Sequence, residues 1–304
     1  MTSSAPQTVL ITGASGLIGS ALTHSLESQG HKVLRAVRRD VQDAEKEIHW
    51  VPAAGTLDHD RLEGVDAVVH LAGANIAGKR WTPAYKKLLL ESRIQGTALL
   101  SKAVAQLDRK PKVFACASAI GLYGDRRDEQ LTESSPIGAG FLPEVCNQWE
   151  QACQPAHDAG IRVVNMRFGV VLSPAGGALA TMLTPFKMGV GGILGSGQQY
   201  FSWLALDDAV RAVEFVLATD SLTGPVNLVT PNPVTNHKFT KTLGQALSRP
   251  TILPMPAFAA RLAFGEMADA LLLASARVVP EQLTKAGFVY RYPQLLPALE
   301  YLLG

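Results

Sequence analysis

Thr12-Gly13-Ala14-Ser15-Gly16-Leu17-Ile18-Gly19 decides the fold. It follows the apolar run Val9-Leu10-Ile11, and the residues after it keep an apolar period close to that of a helix. Between a strand and a helix each glycine has a task. Gly13 permits the sharp turn, Gly16 lets the backbone approach a pyrophosphate, and Gly19 lets the helix lie close to the strand. The first helical turn offers oriented N–H donors and the positive end of the helix dipole. Ser15, Leu17 and Ile18 therefore join the three glycines as candidate dinucleotide contacts. A glycine-rich turn without a ligand would share the spacing, but the flanking strand and helix favour the phosphate site.

The end of the next β-rich run selects the dinucleotide. An acid there would hydrogen-bond the ribose hydroxyls of NAD, whereas arginine pairs with the 2′-phosphate of NADP. Val33-Leu34-Arg35-Ala36-Val37 runs into Arg38-Arg39, and the first acid, Asp40, comes after both. Arg38 and Arg39 are read as NADP(H) contacts, against the plainer alternative of two solvated loop charges.

Outward from this unit, β-rich apolar runs at 9–12, 32–37, 67–71, 112–117 and 162–168 alternate with helical patterns at 17–29, 84–107 and 143–159. The alternation predicts an α/β fold with a doubly wound parallel Rossmann sheet. From Ser173 the character changes: Gly176, Gly177, Gly189, Gly191, Gly192, Gly195 and Gly197 crowd a segment with few charges, as in loops that approach a ligand. A helix over 206–218 and a strand over 226–229 follow. The expected division is an NADP-binding domain over 1–172, to which 200–230 returns, and a smaller C-terminal substrate lobe from 173–199 and 231–304. The apolar stretch 257–273 is interrupted by Arg261, Glu266 and Asp269 and is expected as a buried or amphipathic helix.

The 304 residues, 47% hydrophobic and 18% charged, suffice for a packed core. A net charge of +2 without a basic face or tail argues against nucleic acid and for a small-molecule substrate. The segment 1–8 lacks the basic start and apolar run of a secretory signal, and nothing is long and apolar enough to span a bilayer. Cys116, Cys146 and Cys153 are an odd number without metal-ligand spacing, so reduced thiols and a cytoplasmic setting are expected, with no membrane partner. The seven histidines are scattered, so no metal site is expected, and no G-x-S-x-G elbow is present.

Beside the glycine turn, Val68-Val69-His70-Leu71-Ala72-Gly73-Ala74 and Ser118-Ala119-Ile120-Gly121-Leu122-Tyr123-Gly124 carry a family resemblance. With them the chain resembles an extended short-chain dehydrogenase/reductase, and more narrowly the bacterial members of the atypical subgroup called epimerase family proteins. Trp81, Glu91-Ser92-Arg93, Arg167-Phe168-Gly169, Phe201-Ser202-Trp203 and Val279-Pro280-Glu281 extend the resemblance over nearly the whole chain. It implies that Leu71, Ala72 and Gly73 pass beneath the adenosine ribose and phosphates. It also implies that Arg93 reaches the cofactor and that Val170 and Val171 lie beside the nicotinamide. Leu71 and Ala72 would be buried in any parallel sheet, and Arg93 could pair on a helix surface, so those alternatives stay open.

Typical members place Tyr-x-x-x-Lys on the helix after the Ser118 segment, where lysine lowers the tyrosine pKa. Here that helix reads Val145-Cys146-Asn147-Gln148-Trp149-Glu150, and aligning it by its distance from the preceding strand sets Cys146 against the tyrosine and Glu150 against the lysine. A carboxylate there would raise a neighbouring acid's pKa. Cys146, near an acid and without an evident cation, reads as a small apolar residue of a helix face. Ser118 is the candidate active-site serine, or alternatively a cap at the strand end. Asp207 and Asp208 are expected to cap a helix. Tyr200, Phe201, Trp203 and Phe186 are either a wall of the substrate cleft or core between the lobes. The resulting expectation is an NADP(H)-dependent oxidoreductase or epimerase without the usual Tyr-Lys pair, with a non-catalytic NADP(H)-binding regulator or redox sensor as the alternative.

Overall fold

A computed structural model describes residues 6–304, so Met1 to Ala5 of the amino-terminal segment lie outside the described residues. The first strands are β1 (Thr8–Thr12), β2 (Lys32–Val37), β3 (Glu47–Val51), β4 (Thr56–Leu57), β5 (Ala67–His70) and β6 (Val113–Ala119), of which β1, β2, β5 and β6 answer the β-rich runs. A short outlying β7 (Gln130–Leu131) precedes β8 (Arg162–Phe168). The short β9 (Val170–Leu172), β10 (Tyr200–Phe201) and β11 (Trp203–Ala205) lead to β12 (Gly224–Leu228). The main sheet has the order β12, β8, β6, β5, β1, β2, β3, β4. All neighbours are parallel except β4, which runs antiparallel to β3.

Helices cover both faces, as a parallel sheet of Val, Leu, Ile and Ala requires. α1 (Leu17–Ser28) shares one face with the later helix Leu206–Ala218, and Ser25 Oγ donates to Glu214 across them. On the other face lie α2 (Pro83–Ala105), α3 (Phe141–Gln151) and α4 (Gln154–Asp158), tied where Ser101 Oγ donates to the Cys153 carbonyl. Thr82 caps α2 by accepting from the Tyr85 N–H, and Pro83 occupies its first turn, where a missing N–H costs nothing. The chain winds one way from β1 to β4 and the other way from β5 to β12. The carboxyl ends of β1 and β5 therefore open the crevice in which doubly wound sheets bind ligands.

The helix Leu206–Ala218, α6, buries its apolar face in the main core, and a second apolar core lies under α5 (Gly177–Lys187), α7 (Asn236–Ala246) and the last helix, Leu295–Leu303. It gathers Leu183, Phe186, Trp203, Phe239 and Leu299, and the rings of Phe201 and Phe239 lie 4.5 Å apart. Phe186 and Trp203 are thus lobe core rather than cleft wall. The Gly195-Ser196-Gly197 turn packs within the same lobe, where a Cβ on Gly197 would press on Ile193 and His237.

Several expectations change. β3 was not anticipated, because Glu47-Ile48-His49-Trp50-Val51 is short and starts on an acid. The helix expected over 143–159 is two, because Pro155 lacks the N–H that would continue α3 and instead sits in the first turn of α4. The stretch 257–273 is divided at Gly265, φ +63°, into α8 (Ala257–Phe264) and a π-helical turn, Ala268–Leu273, and Ala260 alone is buried in α8. Asp207 and Asp208 make no side-chain cap on α6. Asp208 instead accepts from the backbone N–H groups of Arg291 and Tyr292, each at 2.8 Å, and Asp207 accepts from Tyr301 Oη.

Candidate dinucleotide and active site

At the crevice, Gly13 has φ +70°, and a Cβ on it would stand 2.9 Å from the Leu71 carbonyl carbon. The glycine turn and the Leu71-Ala72 turn therefore touch through bare backbone. A Cβ on Gly19 would overlap the Gly13 carbonyl oxygen, so that glycine is required by the packing of α1 on its own turn. Gly16 is different: a Cβ there would be 3.3 Å from the Gly13 oxygen, and Ser15 and Gly16 are exposed. α1 begins without a side-chain cap, which leaves its first-turn N–H groups to an external acceptor. Leu17 reaches across to the turn before α5, 3.5 and 3.6 Å from where Cβ atoms of Gly176 and Gly177 would lie. Val171 joins this group through its carbonyl, 3.7 Å from the same point on Gly177.

A buried histidine supports the floor. His70 Nδ1 lies 2.7 Å from Thr12 Oγ1 and Nε2 lies 2.9 Å from Thr97 Oγ1, while the Ala72 N–H donates to Thr12 Oγ1 at 3.2 Å. Burial pushes His70 down to about 3, so the ring is neutral at physiological pH.

The two arginines at the end of β2 part company. Arg39 donates twice to Glu47, at 2.9 and 2.7 Å, while Arg35 lies 3.2 Å from the same carboxylate and the Gln42 N–H donates to it at 3.0 Å. Glu47 is 2% exposed, and the Arg39 hydrogen bonds, then that of Gln42, hold its carboxyl down at about 2. Arg38 is exposed and has no ion pair or side-chain hydrogen bond among the described residues. Glu47 had no signal in the sequence beyond being the nearest acid on an unanticipated strand.

Gly73 rests on Arg93, whose Cζ would be 3.3 Å from a Cβ there. Arg93 donates to the carbonyls of Leu89 and Ala74 and lies over the Trp149 ring, 4.9 Å from its centroid. It braces the strand-end turn against α2 and α3.

Beneath the far end of the crevice, Ser118 Oγ donates to Glu150 Oε1 at 2.6 Å. Glu150 is gripped by Arg167, Nε to Oε1 and Nη2 to Oε2, both at 2.8 Å. Arg167 Nη1 also donates to Tyr123 Oη at 3.0 Å, and Tyr123 donates to Asn227 Oδ1 at 2.8 Å. Burial alone would lower the Arg167 pKa, but the hydrogen bond and charge of Glu150 outweigh it and raise it. The negative charge of Glu150 is thus answered by a cation on β8, Arg167. Cys146 is buried, and burial, reinforced by Glu150 and opposed by Arg93, pushes its thiol up to about 12. Among the described residues no group of three His, Cys, Asp or Glu side chains could hold a metal.

A family model described as the NAD dependent epimerase/dehydratase family matches residues 9–228. The chain belongs to this family. Residues 255–302 match a domain of unknown function, DUF1731. This epimerase family member is 49% identical over 293 residues to an epimerase family protein of Mycobacterium bovis, covering 96% of each chain. A crystal structure of human epimerase family protein SDR39U1 with NADPH is similar at TM-score 0.88 and 32% identity, over 97% of this chain and 98% of that one. A nucleoside-diphosphate sugar epimerase from Corynebacterium glutamicum is similar at TM-score 0.82 and 37% identity, over 99% of this chain and 59% of the other. The resemblance to atypical short-chain dehydrogenases and the Rossmann fold are therefore both established.

Proposed function

We propose that this epimerase family member binds NADP(H) in the β1/β5 crevice and acts on a small molecule as an oxidoreductase or epimerase. The observation that carries the reading is the pairing at the end of β2. Glu47 occupies Arg39 and leaves the Arg38 guanidinium for a 2′-phosphate. The cradle fits a dinucleotide: Gly13 and Gly19 close the turn, Gly16 stays open above it, and the NADPH in the human relative supports the same choice. Ser15, Leu17 and Ile18 would border the phosphates, Leu71, Ala72 and Gly73 the adenosine side, and Val171 the nicotinamide side. The lobe from 173–199 and 231–304 would close on the substrate.

Bound NADP(H) would supply hydride chemistry. The chain's part is to orient the reactants and exclude water. Ser118 acts here as a positioning group, because its proton is directed to Glu150 and Glu150 is fixed by Arg167. The neutral thiol of Cys146 and this locked carboxylate favour a second reading, an NADP(H)-binding regulator or redox sensor. Calorimetric titration with NADPH and NADH, followed by nicotinamide absorbance against a carbonyl panel, separates the two. Selective binding with turnover supports the enzyme and selective binding without turnover supports the sensor. Absence of NADPH preference overturns the cofactor assignment.

A further inference from the structure

The C-terminal lobe carries a surface that the dinucleotide reading does not use. The chain has 26 acidic residues, yet none lies between Asp158 and Asp207 or between Asp220 and Glu266. Those same stretches hold Lys187, Lys238, Lys241 and Arg249, all exposed and none in an ion pair among the described residues. The fold brings Lys187, Arg249 and Lys241 together, and Lys238 lies one turn before Lys241 on α7. Arg249 Nε donates to the Lys187 carbonyl at 3.0 Å, and Lys241 Nζ donates to the Thr251 carbonyl at 3.0 Å. The Met255 N–H donates to the Ile193 carbonyl at 2.8 Å, and the Gly195 N–H to the Met255 carbonyl at 2.9 Å.

Large apolar side chains stand outward from this seam. Met188 is 72% exposed, Ile252 75%, Phe258 72% and Leu262 78%. Scattered apolar residues need no explanation, but Met188 directly follows Lys187 and Ile252 directly follows the Thr251 that holds Lys241, so these two border unpaired cations, while α8, which starts just after this seam, adds Phe258 and Leu262 beside an Arg261–Asp269 pair. A second copy meeting it about a two-fold axis would bring one cationic patch against another, which disfavours self-association. The charge calls for an anionic partner. Side chains projecting from a helix and a proline-rich turn suit a deformable apolar layer better than a rigid pocket. Among the described residues no helix is long and apolar enough to cross a membrane, and a peripheral contact is the one this face offers.

We propose that this face docks on an anionic lipid bilayer, with Phe258 and Leu262 of α8 entering the headgroup boundary and Lys187, Lys238, Lys241 and Arg249 facing lipid phosphates. The test is sedimentation of the full chain with phosphatidylcholine vesicles made with or without phosphatidylglycerol. Binding is expected only with phosphatidylglycerol, to weaken with added salt, to fall ~10-fold or more in the double variant Phe258→Ser, Leu262→Ser, and to fall about fivefold in Lys187→Gln. Unchanged NADPH titration and thermal melting serve as the folding control for both variants. Failure to bind anionic vesicles, equal binding to both vesicle types, or full binding by the double variant overturns the proposal. So does a wild-type dimer, seen by sedimentation velocity without lipid, that the double variant dissociates, because a second copy then covers the face. Each result leaves the dinucleotide reading to its own titration.

Discussion

Glu150 on α3 and Arg167 on β8 meet through two parallel 2.8 Å contacts. The pair is nearly closed to solvent, with side chains 14% and 8% exposed. Glu150→Lys sets a second cation against a buried guanidinium and is expected to cost about 3–5 kcal/mol of unfolding free energy, with Glu150→Gln costing less. Urea unfolding of both variants checks this, and wild-type stability in Glu150→Lys would show that Arg167 has another counter-ion.

Arg38 and Arg39 are adjacent in sequence but should differ in function. Arg38→Ala is expected to weaken NADPH about 10- to 100-fold, the range of a lost charge-assisted contact, while leaving NADH nearly unchanged. Arg39→Ala removes the principal partner of Glu47, so its effect should appear first as lower thermal stability. Equal losses for NADPH and NADH in Arg38→Ala would remove the 2′-phosphate from this site.

The glycines of the turn should separate folding from binding. Gly19→Ala forces a methyl onto the rigid Gly13 carbonyl and should destabilise the protein. Gly16→Val, at an exposed position with a tight but open environment, should leave a folded protein that binds neither dinucleotide. Tight NADPH binding by a folded Gly16→Val protein would place the pyrophosphate elsewhere.

Local patterns made much of this legible. The strand, turn and helix around Gly13 to Gly19 and the runs that became β2 and β8 are signalled by short-range periodicity and backbone needs. Glu47 and Arg167 were not legible as partners, because an ion pair across neighbouring strands or between helix and sheet leaves no spacing in the chain. The same limit applies to α8. Its pattern left a buried or an amphipathic helix open, and only the packing shows that Phe258 and Leu262 face outward while Ala260 is buried.

His70 gives the fold a pH dependence whose sign is fixed by burial. Its folded value of about 3 lies below the usual 6.5, so above pH 6.5 both folded and unfolded chains hold it neutral and it adds no slope. As pH falls from 6.5 towards 3 the unfolded chain takes up a proton that the folded chain refuses, and stability drops by about 1.4 kcal/mol per pH unit. Glu47 also loses stability in acid, but its window runs from 4.5 down to about 2, so the interval from 6.5 to 4.5 isolates the histidine. His70→Gln, which can still hydrogen-bond Thr12 and Thr97, should flatten the curve in that interval. The check is the difference in unfolding free energy between wild type and variant measured at several pH values. A difference that does not change with pH would mean that His70 takes up its proton as readily in the folded as in the unfolded chain, with the Thr12 and Thr97 hydroxyls both accepting from the charged ring.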